Sequence, residues 1–454
     1  MKKHYFPSIV ILFLLGILPI GAQTAREEIM KDINLAGSNH LAYPTPKGVL
    51  TPAPEGKTPF YISHYGRHGS RYLCGKGEYL NPLNVFEKAD SAGALTDLGK
   101  SVKQRLKYLA DEAQNRYGEL TLLGAQQHRQ IAERMYQRFP EVFADSAVID
   151  AKSTVVIRCI LSMENALQQL IALNPKLRIR HDASYHDMYY MNYSDRQLES
   201  YRWSKKTAEV VEKWSAKQLD PTRFINSLFA DKAYVKQNIH ERELMMSVFN
   251  IASIIQNCES RHTITLNDIF TFNELYGIWE IFNARWYIGF SHNPINGGVT
   301  PYIQRNLLRK IIEEADSCLM IEKPGATLRY GHETMVLPLT FLMEINDIGA
   351  PVENIEELSA KWRNYRIFPM ATNIQLIFYR KDIHDEDVLV KALLCEEEAT
   401  LPVKTDCAPY YHWKDVREYY LKKIDNFEKN IKPNLKQNDE KSSFWSSSSL
   451  SKRK

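Results

Sequence analysis

The chain has 454 residues, a formal net charge of +4 and 25% charged residues. This length exceeds that of a single compact domain, which predicts one large core and a second module. The small net charge provides no strong field for nucleic acid, so we expect no nucleic-acid partner.

The first 23 residues have the pattern of a cleaved secretory signal. Lys2 and Lys3 form a basic start, residues 9–20 are apolar, and Gly21 and Ala22 are small. The apolar run is too short for a comfortable membrane span. The alternative is a buried N-terminal anchor helix. We expect a secreted or periplasmic protein with no stable membrane anchor after cleavage, and cleavage removes two positive charges.

The next segment leads to the most informative motif of the chain. Residues 43–54 are rich in proline and predict an extended arm, and the β-prone residues 58–62 predict a buried strand. Soon after it comes Arg67-His68-Gly69-Ser70-Arg71. Ligands of open α/β sheets sit beyond the carboxyl ends of strands, and an imidazole between two guanidiniums can hold a phosphate beside a nucleophile. The alternative is a surface loop with basic residues.

Two further segments follow before the middle of the chain. At residues 120–128 we expect a helix start with Thr121 near the cap, Gly124 in close packing, and His128 at the surface. The β-branched residues 153–158 predict a strand that ends at Arg158, with Ser162 capping the next helix. Arg158 would then bring a third guanidinium to the same anion, although a solvated charge is the alternative.

Residues 176–293 contain few strand signals and many helical ones. Helices are predicted at 202–217 and 266–290, and basic and acidic residues are nearly equal in number across the segment. We interpret this segment as a helical insert that caps an α/β core. Its charge balance by itself gives no basic face for a highly phosphorylated substrate.

The α/β pattern resumes after the insert. A helix is predicted at 306–317 and a strand around Thr327, and the strand is followed by Gly331, His332, Glu333 and a buried helix. That helix would aim its N-terminus at an anion, and its Pro338 is tolerable only in the first turn. The remaining predictions are strands at 375–379 and 388–394, a helix at 416–430, and a disordered tail at 432–454.

The order of these motifs resembles the histidine phosphatase superfamily, in its acid phosphatase and phytase branch, from about residue 61 to about residue 342. Tyr72 after the second arginine is similar to the multiple inositol polyphosphate phosphatases. The resemblance implies an α/β fold with a mixed, mainly parallel sheet flanked by helices, similar to phosphoglycerate mutase. The core would comprise residues 24–175 and 294–431, with the cap at 176–293.

The resemblance also implies a role for each site residue. His68 would be the nucleophile and Glu333 the proton donor, and the phosphate ligands would be Arg67, Arg71, Arg158 and His332. A helix-capping carboxylate is the alternative for Glu333. No cofactor is implied.

The chain departs from the family pattern at two positions. Leu73 stands where the family usually has proline, and His332-Glu333-Thr334 replaces His-Asp-Thr or His-Ala-Glu. A carboxylic acid is kept after His332, but on a longer arm than aspartate. These departures bear on the proton donor more than on the nucleophile.

The resemblance implies a small-molecule phosphomonoester as substrate, inositol polyphosphates such as phytate first among them. A general acid phosphatase or a sugar phosphatase would share the same catalytic residues. An inactive relative that binds phosphate is the alternative from another class. Phosphoryl transfer as in the related mutases is disfavoured by the export signal, because those reactions serve cytoplasmic metabolism. We expect a monomer.

The six cysteines permit disulfides in an exported protein but show no metal-type spacing, so we expect no metal site. Cys395 and Cys407 form the one close pair and could staple a late loop. Cys159 is expected to be a buried thiol.

Overall fold

A computed structural model describes residues 24–435. Eight strands form one mixed sheet, which agrees with the predicted fold class. The strands are β1 (Thr58–Arg67), β2 (Val148–Ser153), β3 (Arg178–Asp182), β4 (Gly325–Gly331), β5 (Asn373–Arg380), β6 (Leu389–Leu394), β7 (Glu397–Ala399) and β8 (Tyr411–His412).

The sheet has the order β3-β2-β4-β1-β5-β6-β7, and β8 pairs with β6. The strands β1 to β4 are parallel to one another, whereas β5 runs antiparallel to both β1 and β6. Nearly every residue of β1, β4 and β5 is buried, as expected for strands covered by helices on both faces. The carboxyl ends of β1 and β4 therefore lie side by side in the middle of the sheet, where ligands bind in such folds.

In the part of the chain that the structure describes, sixteen α-helices surround the sheet. Those before β4 are α1 (Ala25–Lys31), α2 (Lys76–Ser91), α3 (Asp97–Glu112), α4 (Leu122–Arg138), α5 (Ile157–Leu173), α6 (Met188–Met191), α7 (Arg196–Arg202), α8 (Lys205–Gln218), α9 (Thr222–Leu228), α10 (Lys232–Asn238), α11 (Glu241–Ile254), α12 (Phe272–Phe290) and α13 (Arg305–Leu319). Those after β4 are α14 (Glu333–Leu342), α15 (Leu358–Lys361) and α16 (Trp413–Asn426).

The segment predicted as a helical insert begins with a strand. β3 lies within residues 176–293 and pairs with β2 at the edge of the sheet, while residues 183–293 contain helices and no strand. The predicted helix at 202–217 is two helices, because α7 ends at Arg202 with Trp203 as its C-cap and Ser204 caps α8 through its hydroxyl. The predicted helix at 266–290 begins later, at Phe272, where Thr271 and Glu274 form a capping box.

Three predicted elements differ in their bounds. The strand predicted at 58–62 continues to Arg67, so it carries the first residue of the motif into the sheet. The last helix begins at Trp413 and ends at Asn426, and the chain continues as one π-helical turn. Pro338 lies in the second turn of α14 rather than the first, inside a helix that is apolar apart from Glu333, Thr334 and Thr340. The predictions for α13, β5 and β6 are confirmed.

The predicted staple between Cys395 and Cys407 is wrong, since neither residue forms a disulfide. β6 separates the two residues: Cys395 follows its last residue, whereas Cys407 contacts His412, which pairs with its first residue. They therefore lie toward opposite ends of one strand. Cys159 is buried as expected, but on α5 rather than at a strand end.

The predicted signal segment lies outside the described residues, as does the tail from residue 436. The first residues of the predicted tail are ordered, because Lys432–Asn434 forms a 3₁₀ turn and Lys432 pairs with Asp195. Between residues 24 and 435, none of the helices is long and apolar enough to cross a membrane.

Candidate active site

The site forms where β1 and β4 end beside each other. Arg67 and Gly331 are register partners at these two carboxyl ends. The next residue of each strand is a histidine, His68 after β1 and His332 after β4, and their rings lie edge to face with centroids 5.8 Å apart. Two histidines far apart in the sequence are thus brought together by parallel pairing alone.

His68 is fully buried, and its two ring nitrogens have different partners. Nδ1 lies 2.9 Å from the carbonyl oxygen of Gly69, which can only accept, so Nδ1 carries the proton. Nε2 makes no hydrogen bond within residues 24–435 and lies 3.5 Å from Oε2 of Glu333. Burial, followed by the charge of Arg158, holds the pKa of His68 well below its usual value. The imidazole is therefore neutral, with the Nε2 lone pair available to a substrate.

The loop after β1 is fixed on both sides of His68. The main chain of Arg67 donates to Thr372, and that of His68 donates to Gly331. The guanidinium of Arg67 donates through Nη1 to the carbonyl oxygens of Asn39 (2.8 Å) and Phe368 (2.9 Å). These bonds orient the two remaining nitrogens of Arg67, Nε and Nη2, toward the site.

Arg158 reaches the site from a helix rather than from a strand, so the predicted strand at 153–158 is wrong. β2 ends at Ser153, and Arg158 lies in the first turn of α5. Its Nη2 lies 3.5 Å from Nδ1 of His332. Ser162 is not a cap either: its hydroxyl donates to the Arg158 carbonyl and accepts the Gly69 N–H, which ties α5 to the loop that carries His68.

His332 and Glu333 stand at the start of α14, as predicted. His332 is the N-cap residue, and its Nε2 lies 3.2 Å from the hydroxyl of Thr154. Glu333 is buried, and its Oε2 lies 3.2 Å from Nε of Arg67. Burial raises the pKa of this carboxyl, but the Arg67 guanidinium and the contact with His68 outweigh burial and hold it well below its usual range.

The positive charge of the site exceeds its negative charge. Arg67, Arg71 and Arg158 stand against the carboxylate of Glu333, and burial with repulsion from Arg71 and Arg158 lowers the pKa of Arg67 to about 10. Two buried donors, Nη2 of Arg67 and Nε of Arg71, have no hydrogen-bond partner in the described part of the chain. Buried donors are normally satisfied, so they point to a ligand that accepts hydrogen bonds. The excess of two positive charges suits a dianion.

A metal ion is the other ligand that this geometry invites. The ligand atoms of His68, His332 and Glu333 all lie within 4.8 Å of one another. The guanidinium of Arg67 already neutralises the Glu333 carboxylate, however, and three arginines repel a cation. The charge around the site therefore favours an anion.

The loop after β1, which carries His68, also depends on the residues that pack against it. Thr121 caps α4 as predicted, and Gly124 packs so closely that a Cβ there would lie 2.2 Å from the Ser70 carbonyl oxygen. The Ser70 hydroxyl joins Gln127 to Asn257, a residue of the helical segment. His128 is buried against Tyr330 of β4, so its predicted surface position is wrong.

Sequence reasoning missed His40, which lies upstream of the motif. Its Nδ1 lies 2.9 Å from the hydroxyl of Ser253, and that hydroxyl donates to the carbonyl of Asn250, so Nδ1 is the donor to Ser253. Burial and the charges of Arg71 and Arg67 hold the pKa of His40 well below its usual value. No motif or spacing marks this residue, since a loop from the N-terminus brings it to the site.

The leucine that replaces proline after Tyr72 has a structural reason. The main-chain N–H of Leu73 donates to the hydroxyl of Tyr79 at 3.0 Å, and proline has no such donor. Leu73 is also buried in the main core. This departure therefore reflects a different packing of the loop, with the charged residues before it still in place.

The comparisons agree with this geometry. Residues 66–395 match the family model described as histidine phosphatase superfamily (branch 2). The multiple inositol polyphosphate phosphatase of Bifidobacterium longum in complex with inositol hexasulfate has the same fold, with a TM-score of 0.72 and 18% identity over 85% of this chain and 97% of that chain. The same enzyme in complex with phosphate gives 0.71 and 17%, covering 90% of this chain and 100% of that chain.

A second neighbour is the phytase of D. castellii, with a TM-score of 0.64 and 14% identity over 89% of this chain and 92% of that chain. No curated protein sequence matches the chain. The family match covers most of the chain, and it includes Arg67, His68, Arg158 and the pair His332-Glu333. The chain belongs to branch 2 of the histidine phosphatase superfamily.

Proposed function

We propose that this protein hydrolyses phosphomonoesters, inositol polyphosphates in particular, through a phosphohistidine at His68. The observation that carries the proposal is the buried, neutral His68, whose Nε2 lone pair faces an anion site with an excess of two positive charges. The match to the histidine phosphatase family supports the reaction class. The inositol hexasulfate and phosphate bound by the B. longum enzyme support the substrate class.

The reaction has two steps. Nε2 of His68 attacks phosphorus, the ester P–O bond breaks, and the leaving oxygen takes a proton from Glu333. Water then attacks the phosphohistidine, the P–N bond breaks, and Glu333 recovers its proton from that water. The guanidiniums of Arg67, Arg71 and Arg158 offset the charge of the phosphoryl oxygens throughout.

Glu333 must move before it can act as the acid. Its Oε2 lies 3.5 Å from Nε2 of His68, a position that a reacting phosphorus would take. An arriving phosphate would displace the carboxylate and compete with it for Arg67. The added negative charge would also raise the pKa of Glu333 and protonate it. Substrate binding would thus create the proton donor.

Phosphate release from phytate tests the whole proposal. The wild type should release phosphate and accumulate an acid-labile phosphoenzyme in rapid-quench experiments with radiolabelled substrate, and His68→Ala should do neither. If the wild type binds phosphate but releases none from phytate, the protein is an inactive relative that binds phosphate. A kcat/KM that is much higher for a small phosphomonoester than for phytate would show a general phosphatase. This result would overturn the inositol polyphosphate assignment.

Glu333→Gln tests the proton donor. The variant should lose about 10²-fold or more in kcat on an alkyl phosphate, whose leaving group needs a proton, and much less on an activated aryl phosphate. Its affinity for inorganic phosphate should rise, because the carboxylate that competes for Arg67 is gone. Equal losses on the two esters would place the acid elsewhere. Asp97→Asn, at a fully exposed position on α3, is the matched control.

We also propose that the protein is exported and acts as a monomer. The basic, apolar and small-residue pattern of residues 1–23 supports export, and Thr24 caps α1 directly after it. The protein purified from the cell fraction outside the cytoplasm should have its N-terminus near residue 24. Light scattering should give the mass of one chain. An intact N-terminus in the cytoplasmic fraction would contradict the export proposal.

A further inference from the structure

A second cluster of metal-ligating side chains lies outside the catalytic pocket and outside the residues that match the family model. Asp406, Cys407 and His412 each place one ligand atom within 4.8 Å of the others. His412 Nε2 lies 3.0 Å from Oδ1 of Asp406 and 4.0 Å from Sγ of Cys407. No metal was expected here from the sequence, because a single cysteine and a single histidine do not form a cluster of Cys and His residues.

A carboxylate on the far side of the ring orients the imidazole of His412. The residue lies on β8 opposite Leu389, and its Nδ1 lies 2.5 Å from Oδ1 of Asp387. A carboxylate on one ring nitrogen, with the other nitrogen turned toward a metal, is the usual second-shell arrangement of metal-bound histidine. Asp387 in turn is 3.6 Å from Nζ of Lys57, which offsets part of its charge.

The loop that carries the other two residues is fixed by its own hydrogen bonds. The hydroxyl of Thr405 donates to the Tyr410 carbonyl (2.7 Å) and accepts the Cys407 N–H (3.3 Å). The Tyr410 N–H donates to the Cys407 carbonyl at 2.9 Å. The thiol and the imidazole are therefore positioned by the fold before any ion binds, and the exposed carboxylate of Asp406 is held beside them by its contact with His412.

The two distances from His412 Nε2 are close to those around a tetrahedral Zn²⁺ ion. With Zn–N near 2.0 Å and Zn–S near 2.3 Å, tetrahedral angles require about 3.5 Å between N and S and about 3.3 Å between N and O. The observed 4.0 Å and 3.0 Å differ from these values by a few tenths of an ångström. A cysteine, a histidine and an aspartate are also the three side-chain types that zinc prefers.

We propose that Asp406, Cys407 and His412 bind one Zn²⁺ ion, with water as the fourth ligand and Asp387 as the acceptor for the Nδ1 proton of His412. Binding releases the thiol proton of Cys407 and any proton on Nε2 of His412. The ion would tie the loop before β8 to the start of β6. This lies at the opposite end of the sheet from His68, because the first residue of β6 pairs with Tyr379, near the end of β5 remote from Asn373. The role is therefore structural.

Cobalt titration of the metal-stripped, purified full chain tests the proposal, because a thiolate–Co²⁺ charge-transfer band reports the cysteine directly. The wild type should give this band at one equivalent of Co²⁺, and Zn²⁺ should abolish it. Cys407→Ser and His412→Gln should each weaken Co²⁺ binding at least tenfold, and Cys407→Ser should lose the band.

The controls exclude the catalytic pocket, where Sγ of Cys159 lies 3.8 Å from His332. Cys159→Ser should keep the band, as should Cys395→Ser. Zn²⁺ should raise the Tm of the wild type and of Cys159→Ser but not that of Cys407→Ser. Absence of a thiolate band in the wild type, or its persistence in Cys407→Ser, would overturn the proposal. His412 would then serve only as an ionic link between Asp387 and Asp406. None of these readouts depends on phosphatase activity.

Discussion

At the scale of single residues, His68 and Glu333 are linked through one contact. Neutral His68 needs no base to become a nucleophile, because Gly69 already holds its proton on Nδ1. Ionised Glu333 cannot donate a proton until something displaces it from Arg67. Without substrate, Glu333 is therefore paired with Arg67 and cannot donate a proton. The site becomes reactive only when the phosphate of a substrate binds.

The protonation of His40 should change when an anion binds to the site. A bound phosphate dianion offsets the charges of Arg67 and Arg71 that, after burial, keep the pKa of His40 low, so binding should raise this pKa and favour the uptake of a proton by His40. Calorimetry of inorganic phosphate binding in buffers of different ionisation enthalpy measures the uptake. His40→Gln should take up fewer protons than the wild type.

The exposed His262 supplies the control for this measurement, and His262→Gln should behave as the wild type. If His40→Gln and the wild type take up equal numbers of protons, His40 is insensitive to the ligand. The uptake would then belong to His68 and Glu333 alone.

At the scale of elements, the site depends on how closely α4 packs on the loop after β1. Gly69 and Gly124 face each other, and a Cβ on either would lie within 3.0 Å of backbone atoms of the other segment. Gly124→Ala should push α4 away from Ser70, lower the free energy of unfolding by about 1–3 kcal/mol, and reduce kcat/KM by roughly 10²-fold through displacement of His68. Chemical denaturation and steady-state kinetics at a temperature where the variant is folded measure the two effects separately.

Gly77→Ala is the matched control. Gly77 lies in the first turn of α2, where a Cβ would meet only the flexible side chain of Asn81. Alanine should be neutral or slightly stabilising at this helical position, with unchanged kinetics. Unchanged kinetics in Gly124→Ala as well would mean that the loop holds its geometry without α4.

The packing of helices and strands also explains which of them could be predicted from the sequence. β5 and β6 are apolar runs with clear ends, and their positions follow from the sequence. The β-branched residues before Arg158 fit a strand equally well, but the structure ends β2 at Ser153, and the Thr154 N–H donates to Tyr330 at the edge of the site. Whether such a run extends a strand or begins a helix is decided by the neighbouring strand, which local patterns do not contain.

At the scale of the whole molecule, the charged residues of the site were predictable because each lies next to a strand end or a helix start. Their order along the chain carries the family resemblance. The burial of His40 and His128 was not predictable, because a lone histidine has no periodicity and its environment comes from segments far away in sequence. The residues Asp406, Cys407 and His412 are close in sequence, but Asp387 reaches His412 only through the pairing of β8 with β6, which the sequence does not reveal.

Buried neutral histidines should make the whole fold sensitive to acid. Burial lowers the pKa of His64 and of His128 to about 3, against about 6.5 in the unfolded chain. Between these values the unfolded state binds more protons, so stability is full above pH 6.5 and falls as the pH drops toward 3. Each such histidine lowers the free energy of unfolding by about 1.4 kcal/mol per pH unit in this window.

Thermal unfolding from pH 7 to pH 4 measures this effect. The wild type should lose Tm steadily, and His128→Gln should lose less, since one titrating group has been removed from the interior. His186→Gln, at an exposed position, should follow the wild type. Acid therefore limits the pH range in which the folded protein can act. Parallel slopes for the wild type and His128→Gln would show that His128 is protonated in the folded protein and would remove this limit.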